Sequence, residues 1–86
     1  MKNTHQQALQ LIQNGEWDAA HRLVQDYYDP LSCHIHGYLH RIEGDSANAH
    51  YWYRRAGLDM PDNSLEQELN RLFAQVADIS DQIPRM

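Results

Sequence analysis

Asn14-Gly15-Glu16-Trp17-Asp18-Ala19-Ala20 and Glu43-Gly44-Asp45-Ser46-Ala47-Asn48-Ala49 are the two stretches whose reading decides the fold. Gly15 matches Gly44, Ala20 matches Ala49, Val24 matches Tyr53 and Tyr27 matches Ala56, always at an offset of 29 residues. A fixed offset is the mark of one structural unit used twice. A glycine that follows a periodic apolar run ends a helix, and a polar residue just after it starts the next. Each unit therefore reads as helix, glycine turn, helix.

Working outward, Ala8, Leu9, Leu11 and Ile12 form the apolar face of a first helix that stops at Asn14-Gly15. Trp17, Ala20, Leu23, Val24 and Tyr27 recur at steps of three and four and describe a second. Asp29-Pro30 is an N-cap followed by proline at the first helical position, opening a third helix through Leu31, Ile35, Tyr38, Leu39 and Ile42. Gly44 ends it and Asp45 caps the fourth, whose inner stripe is Ala49, Trp52, Tyr53 and Ala56 and which Gly57 and Met60-Pro61 stop. Asn63-x-x-Glu66 and Ser64-x-x-Gln67 are overlapping capping boxes before a fifth helix with the stripe Leu65, Leu69, Leu72, Phe73 and Val76. The segment from Asp78 to Met86, which holds Pro84, is expected to fray. No alternating Val/Ile/Thr-rich run suggests a strand. The expectation is one all-α domain over residues 1–86. Its first hairpin covers about residues 3–28, its second about 30–58, and its capping helix about 63–80.

Composition bounds the partners. Seven Lys+Arg stand against twelve Asp+Glu, a net charge of −5, which argues against nucleic acid. No run approaches the ~20 apolar residues that span a bilayer. The opening Met1–Gln7 stretch lacks the apolar run of a signal peptide. Cys33 is the one cysteine, so no intrachain disulfide can form. These features lead to an expectation of cytoplasmic residence, with no membrane and no nucleic acid as partner.

The chain resembles the tetratricopeptide repeat, a helix hairpin of about 34 residues with the pattern W-x₂-L-G-x₂-Y…A-x₃-F…P. The second unit supplies Cys33-x₂-His36-Gly37-x₂-His40, then Ala49-x₃-Tyr53, then Pro61. Cys33, His36 and His40 depart from it, standing where the pattern has large apolar or aromatic types. The first unit keeps Ala8, Leu11, Gly15, Ala20, Val24 and Pro30, the last of these two residues early. The resemblance implies two antiparallel hairpins in a fragment of a right-handed α–α superhelix, with the fifth helix closing the second hairpin. Gly37, Ala49 and Ala56 suit it, because small residues let paired helices approach. The segment His40-Arg41-Ile42-Glu43-Gly44-Asp45 followed by Asn48–Gly57 also resembles the signature of a group of small bacterial proteins. No activity is attached to that group, so none is implied.

The resemblance further implies a concave groove for an extended peptide. His34, Tyr38 and Arg41 form the groove stripe of the third helix, and His5, Leu9 and Ile12 the matching stripe of the first. The expected function is non-catalytic protein or peptide binding through Leu9, Ile12, His34, Tyr38 and Arg41, with Arg41 taking a carboxylate in two hydrogen bonds. The plain alternative is a solvated helix face.

The competing function is divalent metal binding. His36 and His40 lie four apart on one helix face, the spacing that lets two imidazoles reach one ion, and His50 on the partner helix would be a third ligand. Glu43 follows His40 by three. The plain reading is that both histidines pack in the hairpin and hydrogen-bond tyrosine or backbone groups. Tyr51-Trp52-Tyr53-Arg54-Arg55 is the densest aromatic and cationic stretch. Trp52 and Tyr53 are expected inside, and Arg54 and Arg55 outside, paired with Asp45, Glu43 or Asp59.

Cys33-His34 are only sequence neighbours, and Cys33 suits packing between hairpins. No phosphate loop, Cys-x₂-Cys pair or nucleophile elbow is present, so neither an enzyme nor a cofactor is expected. Much of the fifth helix's stripe is expected to cover the fourth helix, and any remainder, together with Ile79 and Ile83, would offer a surface to a second copy.

Overall fold

The computed structural model describes residues 2–81, with side chains described for residues 4–77. It is all-helical: α1 (Lys2–Gln13), α2 (Trp17–Val24), α3 (Pro30–Ile42), α4 (Ser46–Arg55) and α5 (Leu65–Asp81). No strand occurs among the described residues. No helix is long and apolar enough to cross a membrane.

The repeat extends to individual hydrogen bonds. After α1, Gly15 takes φ 78°. There Gly15 N–H donates to the Ile12 carbonyl at 3.0 Å and Glu16 N–H to the Leu11 carbonyl at 2.8 Å. After α3, Gly44 takes φ 81°. Gly44 N–H then donates to the Arg41 carbonyl at 3.0 Å and Asp45 N–H to the His40 carbonyl at 2.9 Å. The left-handed backbone carries a penalty of about 1–2 kcal/mol for a residue with Cβ, so both turns call for glycine.

The caps form as the sequence suggests. The Asp29 side chain accepts from Ser32 N–H at 3.1 Å, with Pro30 in the first turn. Asp45 accepts from Asn48 N–H at 3.2 Å. Of the two candidate boxes before α5, Ser64 and Gln67 exchange reciprocal bonds at 2.9 and 3.0 Å. Asn63 is engaged elsewhere.

α1 packs on α2 and α3 on α4, and α2 also packs on α3. The Trp17 indole N–H ties that second junction to the Leu39 carbonyl at 2.7 Å. One core cluster runs through Ala8, Leu9, Ala20, Val24, Ile35 and Leu39 to Leu72 and Val76 of α5. Gly37 sits at a close approach of α3 and α4. A Cβ there would lie 2.7 Å from Tyr53 Cδ2 and 3.2 Å from the Ala49 carbonyl oxygen.

Two expectations need correction. α5 does not cover α4; it packs on α1 and α3. The reason lies in the surfaces on offer. α4 turns Ser46, Ala47, His50 and Arg54 to solvent, leaving no apolar strip there for Leu72 and Val76. The α1–α3 face carries Leu9 and Tyr38, which those side chains join in the core. In addition, α5 continues to Asp81, past the point where fraying was expected to begin. The remainder of that expectation, residues 82–86, falls outside the described residues. So do the Ile79 side chain and Ile83, on which the surface for a second copy partly rests.

Candidate functional site

Of the five residues expected to meet a peptide, Leu9, His34 and Tyr38 lie against α5, Arg41 reaches the segment just before it, and Ile12 lies beside Trp17, Leu39 and Ile42. Leu9, His34 and Tyr38 are buried, and Ile12 and Arg41 are half-buried. The Tyr38 hydroxyl donates to the Leu65 carbonyl at 2.7 Å. Arg41 donates to Asn63 Oδ1 at 2.9 Å and also to the Asn63 carbonyl oxygen. Leu9, His34 and Tyr38 are thus covered by the chain's own helix, and Arg41 meets an amide rather than a carboxylate.

The carboxylate in this groove belongs to Glu68, which is fully buried. Its oxygens accept from His34 Nε2 at 2.7 Å, from the Tyr53 hydroxyl at 2.7 Å and from Asn63 Nδ2 at 2.8 Å. Arg71 Nε lies 3.5 Å away. Burial pushes the Glu68 carboxyl up, but the bonds from Asn63, His34 and Tyr53 outweigh it and hold the group below its ordinary value. For His34, burial pulls downward more strongly than the bond to Glu68 pulls upward. The pair is therefore a carboxylate accepting from a neutral imidazole. Sequence reasoning missed Glu68. Its signal is a charged residue four before Leu72 and three after Leu65, within the span of the apolar stripe.

A second cluster lies between α2 and α3. One nitrogen each of His21, His36 and His40 lies within 4.8 Å of the other two. His36 and His40 are buried and His21 is half-buried. The expected third ligand, His50, is exposed on α4 and absent from the cluster, so that part of the metal reading is corrected. The offset of 29 residues that takes His50 back to His21 was the available signal. Both follow a buried alanine, Ala20 or Ala49. His21 lies between helices because α3 packs on α2; His50 lies free because no helix packs on α4 from the equivalent side.

The rings are braced. Trp17 stacks on His21 with centroids 4.8 Å apart and planes at 8°, and Trp52 stacks on His36 at 3.9 Å and 11°. His21 meets His36 edge-on at 4.7 Å, and His36 stacks on His40 at 5.0 Å. His40 Nδ1 lies 2.6 Å from Glu43 Oε1. A carboxylate only accepts, so Nδ1 is the donor in this bond, and in the neutral ring the lone pair is on Nε2. His36 Nδ1 is buried with no hydrogen-bond partner. Burial, reinforced by His21 and His40, lowers His36 to about 4. Burial and His40 also lower His21. The expected packing bonds from these histidines to tyrosine or backbone are not what the structure contains; the contacts are to Glu43 and to indole rings.

Outside this cluster lies an aromatic patch. Tyr28 and Tyr51 are 61% and 51% exposed, the most exposed large apolar side chains among the described residues. Tyr28 stacks on Trp52 at 6.2 Å and Tyr51 meets Trp52 edge-on at 5.2 Å. The Arg55 guanidinium lies 5.1, 5.7 and 5.5 Å from the rings of Tyr28, Tyr51 and Trp52. It also donates to the Tyr51 hydroxyl at 3.0 Å. Arg55 is therefore held by aromatic rings, and neither it nor Arg54 takes the expected acidic partners among the described residues. The inward Tyr53 and outward Arg54 follow the sequence reading; Trp52 is only half-buried.

Near the start of α3, His5 Nε2 lies 2.9 Å from Asp29 Oδ2 and 3.0 Å from Ser32 Oγ. Both contacts fall on one ring nitrogen, whereas a proton relay places serine and carboxylate on opposite nitrogens. A cleft of about 370 Å³ lies beside these residues, bounded also by His34 and Gln75. Cys33 is buried, and burial pushes its thiol up, away from the thiolate a nucleophile needs. Comparison with protein-family models, with curated proteins and with solved structures finds no match for this chain.

Proposed function

We propose that this chain is a non-catalytic protein-binding module whose groove is filled by its own α5 and whose partner contact is the patch of Tyr28, Tyr51, Trp52 and Arg55. The observation that carries the reading is the guanidinium of Arg55 lying against three aromatic rings, two of them more than half exposed. Tyrosine, tryptophan and arginine are the residue types that dominate binding energy at interfaces, because they present large, stiff surfaces with a polar handle. Here the rings already hold the arginine in place, so little side-chain freedom is lost when a partner docks. A guanidinium against aromatic faces suits a partner segment that places a carboxylate beside an apolar or aromatic side chain.

The test is selection of displayed random peptides on the full chain. Enrichment of acidic, aromatic-containing sequences is expected. Binding of an enriched peptide should weaken at least about 10-fold with Tyr51→Ala and with Arg55→Glu, the loss expected of hot-spot residues. The helical circular dichroism of both variants should be unchanged. Absence of enrichment, or enriched peptides that bind Arg55→Glu as well as the parent, would contradict the reading. Peptides that instead lose binding on Leu9→Ala or Tyr38→Phe would restore the groove as the contact surface, with α5 displaced.

A further inference from the structure

From the geometry of the α2–α3 cluster we infer a divalent transition-metal site formed by His21, His36 and His40, oriented by Glu43 and suited to Zn²⁺ or Co²⁺. It goes beyond protein binding and uses different residues, sharing with the patch only Trp52.

Four observations converge on it. Three imidazoles from two helices bring one nitrogen each within 4.8 Å of the others. Four-coordinate zinc bonds to imidazole nitrogen at about 2.0–2.1 Å, so small side-chain adjustments suffice to close the set around an ion. His36 and His40 are four apart on α3, which puts both on one face, and α2 brings His21 to that face. The His40 bond to Glu43, 2.6 Å long, supplies the arrangement that ligating histidines commonly show, in which the nitrogen not bound to metal donates to a carboxylate. Finally, the His36 ring is 4% exposed and its Nδ1 finds no hydrogen-bond partner. A buried polar atom without a partner is costly in a purely structural role, and an ion bound at Nδ1 would satisfy it.

The surroundings fit a site rather than accidental crowding. Trp17 and Trp52 stack on His21 and His36, which limits their rotation and holds the donors in place before an ion arrives. The donor set is all-nitrogen and neutral, which suits zinc, cobalt, nickel or copper and disfavours calcium and magnesium, which take oxygen ligands. Three protein ligands leave a fourth position for water or an incoming group.

The experiment is calorimetric titration of the untagged, metal-stripped full chain with Zn²⁺, paralleled by the visible absorption of bound Co²⁺. One ion per chain is expected, with the intense visible bands of tetrahedral cobalt. His21→Gln and His40→Gln should each abolish the stoichiometric phase. Glu43→Gln should weaken affinity about 10- to 100-fold, the usual effect of losing a group that orients a ligand. His50→Gln should bind like the parent. Zn²⁺ should also raise the urea midpoint of the parent chain, because an ion bound only by the folded state stabilises it. The inference is overturned if the parent chain shows no stoichiometric binding, if His21→Gln binds as the parent does, or if His50→Gln rather than His21→Gln loses the ion. A variant that fails to fold leaves the parent titration, the urea shift and Glu43→Gln to decide. Loss of peptide binding with intact metal uptake, or the reverse, separates this site from the aromatic patch.

Discussion

The α1–α2 hairpin and the α3–α4 hairpin are two versions of one unit, and their differences follow from what lies beside each. The two share the glycine turn, its pair of hydrogen bonds and the buried alanine at Ala20 and Ala49. They fill the helix junction differently. Ala8 and Val24 stand in the first where Gly37 and Tyr53 stand in the second, so a smaller residue on one helix accompanies a larger one on its partner. Their paired histidines also diverge. His5 meets Asp29, which is partly solvated, whereas His34 meets the fully buried Glu68. His21 and His50 diverge most: one is between helices and the other is in water. An equivalent position in a repeat acquires a role only where a neighbouring element covers it.

The largest effect should come from Glu68. Replacing it with alanine leaves His34, Tyr53 and Asn63 without their buried acceptor, at about 1–3 kcal/mol for each donor left unsatisfied. Urea unfolding of Glu68→Ala should show it, while Asp29→Ala should lose only about 1 kcal/mol, chiefly as a helix cap. Equal losses would break the contrast between the two histidine pairs.

Next is the junction. Gly37→Ala gains helix propensity but drives a methyl to 2.7 Å from the fully buried Tyr53 ring, so a net destabilisation of about 1–3 kcal/mol is expected in thermal unfolding. The double variant Gly37→Ala, Tyr53→Val copies the first hairpin and should relieve the clash, although it gives up the Tyr53 bond to Glu68. A stabilised Gly37→Ala would show that the helices have room to part.

The pH dependence of stability sharpens the comparison further. Burial, aided by His21 and His40, lowers His36 from 6.5 to about 4, and His21 and His34 shift in the same direction. The unfolded chain then binds more protons than the folded one between those values. The stabilising contribution is complete above pH 6.5 and is lost as pH falls toward about 4. Urea midpoints measured across that range should decline with acid, and His36→Phe should flatten the decline. An unchanged profile in His36→Phe would remove His36 as its source. Smallest of all, His50→Ala should change stability by no more than about 0.5 kcal/mol, as an exposed substitution does. His21→Ala, which loses a stacked ring, should lose more.

Much of this was legible in the sequence. Asp29-Pro30, Asp45, Ser64-x-x-Gln67 and the two Asn/Glu-Gly turns act locally, through bonds spanning a few residues, so their types and spacing suffice to locate the helix ends. Leu9, His34 and Tyr38, placed by helical periodicity on one stripe, do all meet α5. What covers that face was not legible. An amphipathic helix such as α5 carries no address, and the choice between α4 and the groove turned on the polar outer face of α4 and on the buried partners available to Glu68. Of the three histidines that the metal reading named, His36 and His40 lie together in one cluster, and His50 does not. That third histidine was taken from the adjacent helix in sequence, whereas packing of α2 on α3 supplies His21 instead.

Nuclear Overhauser contacts among the imidazole and indole rings of the full chain test this account most directly. Cross-peaks from the His21 ring to both Trp17 and His36, with none from His50 to His36 or His40, are the predicted result. Contacts from His50 to either of those rings, with His21 free of them, would contradict it.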